Sequence, residues 1–261
     1  MSSSETERPE GDQDIHQEMS LIDHLLELRN RLLRVVLAVL ICFAAVYPFA
    51  NELYLWLSQP LRDLLPEGQM MIATDVTSPF FAPLKLALVV AVFIAIPYIL
   101  YQIWSFIAPG LYKHEKKLAF PLLASSVLLF YLGAVFAYFV VFPLVFGFFT
   151  SVGPEGISEL PDINSYLNFV LKMFFAFGVA FEIPIATILM VLSGITTPAD
   201  LAAKRPYVVV GCFIVGMLLT PPDIISQTLL AVPMWLLFEI GILFSRFATR
   251  RRDIEEDSPE P

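Results

Sequence analysis

Six ionisable side chains sit where a charge is either expensive or concentrated: Glu27, Lys85, Glu115, Lys172, Glu182 and Glu239. Glu27 stands in HLLELRNRL, just ahead of a long apolar run, and Glu115 stands in LYKHEKK, between two others. Two carboxylates near one interface offer forked acceptors to guanidinium groups, so together they would bind an arginine-bearing peptide. The same residues have a local reading: Glu27 is four residues before Arg31, and Glu115 is flanked by Lys113, Lys116 and Lys117. Glu182 lies deep in FGVAFEIPIATILM, turns away from either end of the run, where a carboxylate needs a cation, a donor or a wet groove. Either it is the relay of an ion-coupled small-solute transporter, or it lines a groove that receives a polar or cationic segment of another protein. No second intramembrane carboxylate stands at helical spacing from it and the halves do not repeat, which weakens the transporter reading. Lys85 and Lys172 are within two turns of their helix starts and can snorkel outward; Glu239, near the inner end of its run, can reach water.

Several chemistries lack their parts. There is no HExxH, no GxSxG and no histidine inside an apolar run, so no enzyme is expected. Cys42 and Cys212 are both embedded in apolar runs, so no disulfide, metal or cofactor is expected either.

The elements that must hold these residues follow from composition. Of 261 residues, 57% are hydrophobic and 16% charged. A soluble domain is about half apolar and about a quarter charged. An all-α, polytopic membrane protein is the fold class this implies. Residues 1–19 read as a disordered acidic tail, 20–249 as one membrane domain and 250–261 as a charged tail. The leucines of residues 21–33 predict a short amphipathic surface helix feeding a first span over 32–50. A second surface helix is predicted within LYLWLSQPLRDLLPEG, broken at Pro60. Further spans are predicted over 80–106, 118–154 and 165–193, with Pro121 and Pro143 near the ends of the third. The fifth, 207–220, amounts to about 21 Å of helix, short of the hydrocarbon thickness. The sixth, over 224–244, is likewise expected to be short. Pro221 and Pro222 force the turn between them, and Asp223 can cap the last helix.

The formal charge of −9 comes from the two ends: residues 1–28 hold eight acids against one base, and 253–261 hold five acids and no base. Every Lys and Arg other than Arg62, Lys85 and Lys172 falls in the N-terminal region, the second-third loop, the fourth-fifth loop or the C-terminal end. The positive-inside rule then gives six spans with both termini cytoplasmic. Nucleic acid is not an expected partner, because no basic stripe interleaves with aromatics.

The stretches HLLELRNRL (24–32), MIATDVTSPFF (71–81), FIAPGLYKHEKK (106–117), FEIP (181–184), KRPYVVVG (204–211) and MLLTPPDIISQTLLAVP (217–233) resemble the TatC family, the polytopic receptor subunit of the twin-arginine protein translocase. The resemblance implies a receptor for the paired arginines in signal peptides of folded precursors. It implies single-span partners TatA and TatB, several copies in a lipid-embedded complex, and export driven by the proton-motive force across a bacterial inner membrane. Carried over by motif, it implies signal-peptide roles for Glu27, Arg29, Phe106, Glu115 and Glu182. Contacts with TatA and TatB fall to Met217, Thr220 and Gln227. Pro60, Pro221, Pro222 and Asp223 fall to the outer-side architecture.

Overall fold

The structure is a computed structural model and describes residues 10–63, 71–107, 119–152, 162–219 and 224–256. Among these the chain is helical, apart from short connections and one isolated bridge between Ile72 and Asp162. Helix α1 (Glu10–Val46) ends at Pro48, which cannot donate to the helical ladder, and a single 3-10 turn leads into α2 (Ala50–Leu57) and α3 (Gln59–Arg62). Helix α4 (Ser78–Ile107) crosses back. Helix α5 (Ala119–Phe136), a π segment (Ala137–Val141) and α6 (Phe142–Val152) follow without interruption. Then come α7 (Ile163–Ala180), α8 (Ile183–Leu192), α9 (Pro198–Ala203), α10 (Arg205–Leu219) and α11 (Ile224–Glu256). Among the described residues, five helical stretches are long and apolar enough to cross a membrane, and α10 is a shorter apolar helix of 15 residues.

Several boundaries differ from the sequence reading, each for a local reason. Residues 10–19, expected to be disordered, form the start of α1, to which the sequence supplies Glu10, Asp12 and Asp14, types favoured at a helix N-terminus. The expected surface helix is not separate: α1 is one helix of 37 residues, because nothing between 20 and 46 breaks it. The break in the second surface helix falls at Ser58, since Pro60 is tolerated in the first turn of α3. Pro143 lies inside the third span, and the π segment sits immediately before it, widening the turn whose carbonyls the proline ring would otherwise meet. The fourth span is two helices, because Pro184 leaves Ala180 without its intrahelical donor. The loop after it holds α9, started by a capping box of Thr197 and Asp200. Of the last two helices only α10 is short; α11 has 33 residues and carries residues 250–256 in its final turns.

Packing joins distant segments at both ends of the bundle. The largest fully buried side chains, among them Phe142, Phe177, Leu167, Met173 and Leu230, draw α6, α7 and α11 into one core. Gly133 of α5 faces the backbone of Phe177, so the two helices meet at a distance only glycine permits there. Pro97, inside α4, leaves the Phe93 carbonyl without a helical donor, and Tyr131 Oη fills the place at 2.8 Å. At the end where α2 stops, Tyr166 Oη donates to the Leu57 carbonyl at 2.8 Å. Beside it, Asp162 caps α7 through the Ser165 amide and also accepts from the amide and hydroxyl of Thr74, at 3.0 and 2.8 Å. These donors hold the Asp162 carboxyl well below its usual range, at about 2. By contrast α1 packs along one face only, chiefly on α4, and leaves Leu32, Leu37, Leu40 and Ile41 exposed.

Candidate functional site

The last two turns of α4 organise two polar clusters that the sequence leaves far apart. The first involves Glu27 and Arg31, one turn apart on α1. Arg31 donates from Nε and Nη2 to Glu27 Oε1 at 2.9 and 2.5 Å, which is the local pair anticipated from spacing. The same guanidinium also reaches α4: Nη1 donates to the amide oxygen of Gln102 at 3.2 Å and to its carbonyl at 3.4 Å, and Nη2 donates to the Ser105 carbonyl at 3.3 Å. Gln102 is buried, at 5% exposed. Both carbonyls lie in the last two turns of α4, toward the negative end of its dipole, so a cation fits there. An open hollow of about 390 Å³ adjoins, lined by Leu26, Glu27, Asn30, Arg31 and Arg34. Phe106, half-buried, is the next residue after Ser105. Arg29 is exposed and turns to Asn30 Oδ1 at 3.3 Å rather than to Glu27. Glu115 lies outside the described residues.

The second cluster is interior. Glu182 lies at the break between α7 and α8, with its backbone still turning: its amide donates to Val179 and its carbonyl accepts from Ala186. Ser126 Oγ of α5 donates to Glu182 Oε2 at 2.6 Å, and Trp104 Nε1 of α4 donates to Ser126 Oγ at 3.3 Å. Glu182 Oε1 is buried and has no hydrogen-bond partner among the described residues. A half-satisfied carboxylate in a low-dielectric interior is a costly arrangement, of a kind that concentrates at functional sites.

The other intramembrane charges separate cleanly. Glu239 does not simply reach outward: Arg205 Nε and Nη2 hold its two oxygens at 2.6 and 2.8 Å, a two-point bridge between α10 and α11. Lys85 and Lys172 are exposed. Met217 is exposed near the end of α10, and Gln227 approaches Gly216 from α11, so these two expected contact residues share one end of the bundle. Thr220, Pro221, Pro222 and Asp223 lie outside the described residues, as does the side chain of Pro60. The sequence reading missed Trp104, Ser126 and Gln102; a polar residue inside an apolar run was the available signal.

The Sec-independent protein translocase protein (TatC) family matches residues 23–233. The chain belongs to the TatC family. A TatC protein of Azotobacter chroococcum is 60% identical over 97% of this chain and 98% of its own length. One of Escherichia coli K12 is 60% identical over 87% of this chain and 88% of its own. A crystal structure of the twin arginine translocase receptor TatC superposes with a TM-score of 0.78 at 42% identity, covering 87% of this chain and 99% of that one. As a TatC-family member the chain is a multi-pass inner-membrane component of the Sec-independent protein translocase, working with other subunits of that complex. The small-solute transporter alternative has no support.

Proposed function

We propose that this TatC-family chain is the receptor that takes the paired arginines of signal peptides on folded precursor proteins, with Glu27 as one acceptor and Glu115 as the other. The observation that carries the reading is the Glu27–Arg31 pair at the end of α4: the Glu27 carboxylate already holds one guanidinium, and an open hollow lies beside it. Phe106 supplies an aromatic surface next to that acceptor, and Arg29 belongs to the same patch. Glu182 faces the inserted part of the signal peptide. The complex performs no catalysis of its own and uses the proton-motive force. Both termini lie in the cytoplasm, the side from which the precursor arrives, in keeping with the basic residues of the alternate loops. TatA and TatB, single-span subunits, dock at Met217, Thr220 and Gln227, with several copies assembled in the lipid. Pro60, Pro221, Pro222 and Asp223 shape the opposite face.

Site-specific crosslinking from position 27 to a precursor bearing paired arginines tests this. Glu27→Lys and Glu115→Lys should each weaken the crosslink while the protein still inserts in the membrane. Unchanged crosslinking in both would refute the acceptor assignment.

A further inference from the structure

Glu27 is a surface carboxylate on a helix with one packed face, and an isolated i,i+4 pair orients such a group only weakly. Here the pair is not isolated. The Arg31 side chain is 19% exposed, and its guanidinium is wedged between Glu27 and α4, with three acceptors on Gln102 and Ser105. A planar fork can serve both sides at once, which a lysine ammonium on its flexible stem cannot reproduce. The position of Arg31 is therefore set by the end of α4, and the position of the Glu27 carboxylate is set by Arg31. Both bonds from Arg31 to Glu27 fall on Oε1, and neither uses Oε2.

We propose that Arg31 is a positioning residue of the arginine acceptor: it fixes Glu27 by one oxygen against the end of α4 and leaves the other oxygen to an incoming guanidinium. This rests on the reading of Glu27 as an acceptor. Arg31 does not touch the ligand; it decides where the carboxylate waits, so that a signal arginine entering the hollow spends none of its binding on ordering Glu27.

The test is a double-mutant cycle on the assembled receptor complex in membrane vesicles, titrated with a precursor carrying a paired-arginine signal peptide and read by photocrosslinking. Arg31→Gln should weaken binding by about fivefold, in the range expected for coupled neighbours. In a Glu27→Gln background the same change should have no further effect. Arg31→Lys should recover only part of the loss. If Arg31→Gln lowers binding by the same factor in both backgrounds, Arg31 serves α1–α4 packing alone and the proposal is overturned. Wild-type binding by Arg31→Gln overturns it as well, while leaving the Glu27 reading intact provided Glu27→Gln still weakens binding. Wild-type binding by Glu27→Gln removes the acceptor reading itself. Should Arg31→Gln fail to accumulate, Gln102→Leu removes one α4 acceptor without changing any charge. Its effect should again vanish in the Glu27→Gln background, and an effect that persists there refutes the proposal.

Discussion

Ser126 Oγ donates to Glu182 Oε2 at 2.6 Å while accepting from Trp104 Nε1 at 3.3 Å, so a three-residue chain from α4 through α5 ends on the carboxylate at the α7–α8 break. Ser126 is 1% exposed. Replacing it with Ala leaves Glu182 with no donor among the described residues and should cost about 1–3 kcal/mol, the desolvation penalty of an orphaned buried group. Thermal unfolding of the detergent-solubilised protein measures this. The loss should shrink when Glu182 is already Gln, because neighbours in one network couple; equal losses in both backgrounds would mean that the two side chains act independently.

The Arg205–Glu239 bridge should behave as a two-point link between α10 and α11. Both partners keep some solvent contact, at 43% and 26% side-chain exposure, so its net worth is modest. Glu239→Gln and Arg205→Lys should each lower the melting temperature slightly, the second because an ammonium cannot reproduce the fork. The double variant should be no worse than the poorer single one.

Tyr131→Phe should destabilise the protein without touching either polar cluster. Its hydroxyl serves the Phe93 carbonyl that Pro97 leaves without a helical donor. Removing it should cost about 1–3 kcal/mol. In a Pro97→Ala background, where the backbone amide at 97 returns, the cost should fall. An unchanged cost would show that the hydroxyl acts elsewhere.

Asp162 gives the fold an acid limit. Its carboxyl titrates at about 2 in the folded protein, held down by Thr74 and Ser165, against about 3.9 in an unfolded chain. The folded state therefore favours the carboxylate. This contribution is fully present above about pH 4 to 5, and is lost as pH falls from there toward 2. Unfolding followed from pH 6 to pH 2 should show the decline in the wild type and less of it in Asp162→Asn. A matching profile in the two would remove the Asp162 contribution.

Much of this protein is legible in the amino-acid sequence by itself. Apolar runs and their Pro and Gly breaks locate the helices because span length and backbone satisfaction are local requirements. The resemblance of six motifs to one family is likewise a property of the string. Three relationships are not. Arg31 meets Gln102 across 71 residues, Ser126 meets Glu182 across 56, and Arg205 meets Glu239 across 34. Periodicity says which face of a helix is apolar and nothing about which partner a buried polar atom finds, since that depends on how the helices cross. The same holds for the boundaries that differ. Pro143 reads as a helix end because proline removes a donor, yet here the helix continues through a π segment inside a packed bundle. Spacing alone pairs Glu27 with Arg31, but only the tertiary structure, by placing the end of α4 against that guanidinium, ties the pair to a second helix.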